Sequence, residues 1–219
     1  MTLPSQDGGP PDTGAPDTGA PDTGAGSWDS YQRADEPASF LAMIRALRTL
    51  QDRMTAASPP EEVASRIEGV LTALADALGE YAVDETEQVT GRVGGVPGRG
   101  QAMAPVIEIE ELTSDLAIGY VTFGRFYLGA SGSVHGGAIP LAFDELMSRL
   151  ANTGRPGCRT AYLHVDYRSV TPIETRLRIE ARFESEEGRK RMLSASIRHG
   201  DTVCAEAEGL FVALRPGQP

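Results

Sequence analysis

The chain of 219 residues holds only two cysteines, Cys158 and Cys204, and three histidines. Two cysteines are too few for a disulfide framework, and neither has a second Cys or a His beside it at zinc spacing, so both read as reduced thiols. His164 and His199 lack partners at metal spacing and read as strand-surface residues, which leaves no metal site to expect. No apolar run approaches the roughly 18 residues that span a bilayer, and the N-terminus lacks the basic-then-apolar pattern of a signal peptide. These absences point to a cytoplasmic protein without stable membrane insertion. Cations are also short, with 20 Lys and Arg against 31 Asp and Glu, a formal charge of -11. A general nucleic-acid binder must neutralise phosphates with clustered cations, so that class is excluded, although a local basic pocket is not.

What is present divides the chain into stretches. Residues 11–25 read Pro-Asp-Thr-Gly-Ala three times, turn formers with no apolar side chain larger than alanine. Such a stretch cannot offset its ordering entropy by burial, so residues 1–35 are expected to be a disordered tail. From Pro37 to about Ala57, Phe40, Leu41, Ile44, Leu47, Leu50 and Met54 recur at spacings of three and four, with Arg45, Arg48 and Asp52 elsewhere on the wheel. After Ser58-Pro59-Pro60-Glu61 the pattern repeats at Val63, Ile67, Val70, Leu71, Leu74 and Leu78. Residues 36–85 therefore read as a helical hairpin whose apolar stripes could be a dimerisation or partner surface, with packing on the following domain the favoured reading. Residues 86–103 include five glycines and a proline between Gly91 and Gly100 and read as a linker or mobile loop.

From residue 104 the period changes from helical to alternating. Residues 106–110 and 116–123 read as a strand pair around a turn at Thr113-Ser114-Asp115, and four more strands are expected at 160–167, 176–184, 191–198 and 202–212. The clearest places Leu177, Ile179, Ala181 and Phe183 on one face and Arg178, Glu180, Arg182 and Glu184 on the other. Between the two sets lies one long helix, residues 138–151. Two strands, a helix and four strands give an α+β fold in which an antiparallel sheet wraps a single helix, the hotdog arrangement, over residues 104–215.

Gly129-Ala130-Ser131-Gly132-Ser133-Val134-His135-Gly136-Gly137 leads straight into that helix. Glycines at a helix start expose unpaired N–H groups to a ligand, and the helix dipole favours negative charge there, as an oxyanion hole requires. On composition alone a tight turn that merely needs positive φ would be the favoured reading. In the helix, Ile139, Phe143, Leu146, Met147 and Leu150 form the stripe to be buried, with Asp144 and Glu145 on opposite flanks. Glu145 lies four residues before Arg149 and reads as a surface ion pair. Asp144 shares its flank with Pro140, Met147 and Ala151, with Arg155 the only cation near, which makes it the better catalytic candidate.

Val134-His135-Gly136-Gly137-Ala138-Ile139, with Asp144 nine residues after the His, resembles the PaaI-type branch of the hotdog thioesterase superfamily. So do the stretches 159–168, Pro172-Ile173, Glu187-Gly188-Arg189-Lys190 and 205–212. The resemblance covers roughly residues 104–215. It implies an acyl-CoA thioesterase of lipid metabolism, needing no cofactor because CoA is part of the substrate. It also implies Asp144 as general base or nucleophile, the Gly136 N–H as the group that polarises the carbonyl, and Thr160 as the hydroxyl that orients water. His135 is assigned a loop-fixing role, and Gly137 neighbours the ligand. Gly129 departs from the family, where an Asn or Gln amide often assists the carbonyl.

Helix geometry bears on assembly. Gly136 and Asp144 lie eight residues apart, about 12 Å along an axis rising 1.5 Å per residue, so one chain cannot bring both within about 3 Å of one reacting centre. The site is expected to be shared across a homodimer, alone or within a dimer of dimers, as the resemblance also implies. Arg168, Arg189 and Lys190 are candidates for the CoA phosphates, or else ordinary strand-end cations. Two other classes compete. A dehydratase would need a His paired with an acid within the helix, whereas His135 precedes it; a non-catalytic acyl-CoA binder would keep the fold, and Gly129 leaves that open.

Overall fold

The computed structural model describes residues 37–215; the Pro-Asp-Thr-Gly-Ala repeats and the expected tail lie outside the described residues. Two helices, α1 (Ala38–Ala56) and α2 (Glu61–Gly79), precede β1 (Ile107–Leu112) and β2 (Leu116–Thr122). After them come α3 (Ala138–Asn152), β3 (Cys158–Tyr167), β4 (Arg176–Glu187), β5 (Lys190–His199) and β6 (Thr202–Ala213). The strands form one antiparallel sheet in the order β1-β2-β4-β5-β6-β3.

Period-two alternation sets the sheet's two faces. Along β4, Leu177, Ile179 and Ala181 are buried toward α3, while Arg178 and Arg182 on the outer face both pair with Glu180. Along β5, Leu193, Ala195 and Ile197 do the same. The helix supplies the other half of the core, with Phe143, Leu146, Met147 and Leu150 entirely buried. At about 1.5–3 kcal/mol for each fully buried large side chain, this stripe is what holds α3 in the sheet's concave face. Gly209 on β6 permits the approach, since a Cβ there would lie 2.8 Å from the Met147 terminal methyl.

The N-terminal helices depart from expectation in two ways. The face of α1 that docks carries Arg48 and Asp52 rather than an unbroken apolar stripe. Arg48 donates to the carbonyls of Gln101 and Ala104, and Asp52 accepts the Phe126 N–H at 2.8 Å. Of the expected stripe, Phe40, Leu41, Ile44 and Leu50 are half-buried, whereas Leu47 and Met54 are exposed. The hairpin, moreover, is open. Pro59-Pro60 keeps the link extended, with Pro60 at φ -60°, ψ 153°, and α2 has no extensive packing against α1 or the sheet domain.

The glycine-rich stretch is a packed clasp. Val93, Gly100, Gln101 and Ala104 are buried, and Gly98, Arg99 and Gly100 all have positive φ, winding the chain so that Arg99 reaches α3. Its guanidinium makes paired hydrogen bonds of 2.7 and 2.6 Å to the Glu145 carboxylate, both side chains being only 16% exposed. Glu145 is therefore half of a nearly buried ion pair that ties the clasp to α3, and not a surface i,i+4 pair with Arg149. Arg149 feels its charge, but burial is the main influence on it and lowers its pKa.

Candidate functional site

The turn before α3 is built from backbone hydrogen bonds. The Gly129 N–H donates to the Ser133 carbonyl at 2.9 Å, Val134 to Thr171 at 2.8 Å and His135 to Tyr127 at 2.7 Å, with Ser131 and Gly132 in the left-handed region. This folds Gly129 onto His135: a Cβ at 129 would lie 3.0 Å from the His135 Cα, so an amide side chain there would require the turn to open. The His135 Nδ1 accepts the Gly137 N–H at 3.0 Å, and the Tyr167 hydroxyl donates to the Gly136 carbonyl at 2.7 Å. Both bonds fix the peptide planes around Gly136. The Gly136 N–H itself makes no hydrogen bond with any described residue, and the residue is exposed at the positive end of the α3 dipole.

Asp144 lies two turns further along α3, half-buried. Its Oδ1 accepts the Thr160 hydroxyl at 2.7 Å. Strand register explains why Thr160 faces the helix. Thr160 pairs with Phe211, whose side chain is buried under α3, but the register shifts at Ala161 so that Tyr162 pairs with Leu210. This bulge inserts one residue and thereby puts Thr160 on the same face as Leu163 and Val165, which pack on the core. Without it, strict alternation would send Thr160 to the outer face with Tyr162 and His164. Arg155, the cation expected near Asp144, is turned to Asp115 and lies over the Phe183 ring.

Asp144 and Thr160 open onto a groove of about 420 Å³ that also takes in Arg99, Ser148, Cys158 and Arg159. Burial pushes the Cys158 thiol up, so at neutral pH it is protonated and a poor nucleophile beside the carboxylate. Among the described residues no group of His, Cys and carboxylates could hold a metal ion, and no helix is long and apolar enough to cross a membrane.

The chain brings the candidates together in two separate sets. Asp144 and Thr160 form one, at the end of the sheet where β5 begins: Lys190 pairs with Val212, as does Arg159 on the other side of β6. Arg189, whose guanidinium donates to the Ala213 carbonyl at 2.9 Å, and Lys190 sit at this end. His135, Gly136, Gly137 and Tyr167 form the other set, and Arg168 belongs with them, its N–H bonded to the Cys204 carbonyl and its guanidinium paired with Asp166 and Glu206. Eight positions along β6 from Cys204 to Val212 correspond to roughly 26 Å at 3.3 Å per residue. Sequence reasoning gave no role to Tyr167 or to the Arg99–Glu145 clasp; the three-residue step between Gly98 and Gly100 was their only local signal in the latter case, and Tyr167 had none.

An antiparallel sheet curved around one buried helix, in this strand order and with two helices before it, decides the architecture. It is a hotdog fold. The crystal structure of a thioesterase superfamily protein, RHA08564, superposes with a TM-score of 0.70 at 27% identity, over 83% of this chain and 94% of that one. That extent exceeds the hotdog domain alone and takes in part of the N-terminal region. Sequence relatives include acyl-coenzyme A thioesterase THEM4 of Xenopus laevis, 36% identical over 95 residues, or 42% of this chain and 43% of that protein. Another is acyl-coenzyme A thioesterase THEM5 of Mus musculus, 29% identical over 94 residues, 42% of this chain and 38% of its own. These matches span less than half the length of the curated relatives. No family model matches the chain.

Proposed function

We propose that this hotdog protein is an acyl-CoA thioesterase that works as a homodimer, with each site drawn from two subunits. The observation that carries the reading is the Thr160 hydroxyl bonded to the Asp144 carboxylate at the mouth of a groove, two turns from an N–H that has no partner among the described residues. Sequence likeness to acyl-coenzyme A thioesterases supports the substrate class.

Asp144 serves as general base, or as nucleophile, against the thioester carbonyl. In the first role it takes a proton from a water oriented by Thr160; the water oxygen bonds to the carbonyl carbon, and the C–S electron pair leaves on sulfur, which receives the proton. The Gly136 N–H from the other subunit holds the oxyanion, worth about 2.7–4 kcal/mol for a well-placed donor. The free edge of the sheet supports the assembly. Among the described residues β3 has a hydrogen-bonded neighbour only on the β6 side, and most of its ten residues are exposed, an unprotected edge of a kind proteins generally cover. An antiparallel pairing of β3 with its copy would bring the Thr160 end of one strand to the Tyr167 end of the other. Asp144 would then meet the partner's Gly136 set, and Arg168 would join Arg189 and Lys190 around one CoA.

Hydrolysis of acyl-CoAs of several chain lengths, followed by release of free thiol, tests the reading. Turnover of at least one substrate is expected, with Asp144→Asn lowering it on the order of a hundredfold or more. Near-normal turnover by a folded Asp144→Asn protein would remove Asp144 from the mechanism. Acyl-CoA binding without hydrolysis would favour the second reading, a non-catalytic binder, for which the crowded Gly129 is the supporting observation.

A further inference from the structure

The arm formed by α1 and α2 carries apolar surface that the hotdog domain does not use. On α2, Ile67, Val70, Leu74 and Leu78 follow one another at helical spacing and are 40–57% exposed, and Leu47 and Met54 on the outward face of α1 are 41% and 53% exposed. Among the described residues neither helix buries a residue completely, and α2 has no extensive packing against any other element. An isolated helix of 19 residues is marginal in water and is ordinarily held by packing of its apolar face. The extended Pro59-Pro60 link leaves a wedge of about 700 Å³ between the two helices.

Charge says what fits that wedge. On α1, Arg48 and Asp52 face the hotdog domain, which leaves Arg45 and Arg53 exposed; α2 has four acids and one arginine. Arg53 and Glu68 stand on opposite walls of the wedge and do not form an ion pair with one another. A surface that is basic on one helix and acidic on the other is self-complementary under a two-fold axis, where each α2 meets the other copy's α1 and Arg53 of each faces Glu68 of the other. An anionic membrane would be repelled by α2. Stable interfaces need roughly 1,000 Å² in total, an area that two such arms, each with an apolar stripe of five or six turns, are long enough to cover.

We infer that the α1–α2 arm is a self-association surface: the arm of a second copy docks in the wedge, forming a four-helix contact distinct from the β3 edge. It stands independently of the catalytic reading, since no arm residue belongs to the candidate site.

Analytical ultracentrifugation of the full chain over a dilution series tests it, with Val70→Asp/Leu74→Asp as the disrupting variant. Those side chains are exposed, so the hotdog domain should melt as in the wild type. The expected result is that the variant has half the wild-type mass. Arg53→Glu should weaken association, and Arg53→Glu/Glu68→Arg should restore it. Equal masses for wild type and the aspartate variant overturn the proposal, as does disruption that the charge swap fails to rescue. Sedimentation of the wild type with anionic vesicles at unchanged mass would also overturn it, in favour of a lipid surface. If both proteins are dimers, the arm proposal fails while the β3-edge dimer stands; a dimeric variant of a tetrameric wild type supports both; a monomeric variant of a dimeric wild type supports the arm and removes the β3-edge dimer.

Discussion

Two inactive variants should complement one another if the catalytic site is shared between subunits. Asp144→Ala removes the carboxylate that accepts the Thr160 hydroxyl, and Gly136→Pro removes the N–H that has no partner among the described residues. The eight-residue interval between them is about 12 Å of helix, and the strands that carry their partners, Thr160 and Tyr167, separate them by a similar logic at opposite ends of β3. Each homodimer then lacks one half of both sites. A mixed dimer has one site that lacks both halves and one that is complete. Co-refolding equal amounts makes about half of all dimers mixed, each with one working site of two, so roughly a quarter of wild-type turnover should return. Thiol release from an acyl-CoA that the wild type hydrolyses is the assay, with differently tagged chains to verify that mixed dimers have formed. Gly136→Pro is compatible with the turn's hydrogen bonds, because those run through the N–H groups of Gly129, Val134, His135 and Gly137. Verified mixed dimers with no recovery would refute the shared site and leave Asp144 or Gly136 without a catalytic part.

Three further outcomes follow from the geometry. Thr160→Val removes a hydrogen bond to a carboxylate, so stability should fall by no more than about 1.5–3 kcal/mol while turnover per folded molecule falls by roughly ten- to a hundredfold; unchanged turnover would show that the hydroxyl does not orient the water. Glu145→Gln breaks the nearly buried pair with Arg99, so denaturant titration should show a loss of about 1–3 kcal/mol while turnover per folded molecule changes little; a stability equal to wild type would mean that the clasp contributes nothing. Because burial raises the Cys158 pKa, its alkylation by iodoacetamide near pH 8 should be slower than that of the same thiol in the unfolded chain, and should rise with pH later than for a free cysteine. Equal rates in the two states would show that the thiol is not shielded.

The strands and the long helix were legible because each has one buried face and one wet one. Leu177, Ile179 and Ala181 alternate with Arg178, Glu180 and Arg182, and a period of two admits no other reading where one face is covered. The same test was incomplete for α1, where Leu41 and Ile44 are half-buried beside Arg48 and Asp52, which hydrogen-bond to backbone groups over 50 residues away in sequence. Periodicity reports where water is excluded, and a polar clasp leaves no trace in it. Glu145 was misread for a related reason: Arg149 is its neighbour by helix spacing, but Arg99 arrives from a turn whose positive φ values set its direction.

The candidate site shows where local pattern stops short. Asp144 and Gly136 could be singled out from residue type and position, because an acid with few partners on its flank and glycines at a helix start are both local features. That Thr160 reaches Asp144 depends on the single-residue bulge at Ala161, which alternation alone would forbid: from Tyr162, His164 and Asp166 on the outer face, counting back by two puts Thr160 outside as well. The resemblance assigned Thr160 without explaining how it gets there, and the register shift supplies the cause. It follows that deleting Ala161 is a sharper perturbation than replacing Thr160. The deletion keeps every functional side chain but restores regular pairing, so Thr160 turns away from Asp144 and activity should fall at least as far as in Thr160→Val. If the shortened strand keeps full turnover, the bulge does not position the hydroxyl, and the 2.7 Å contact has no part in the chemistry.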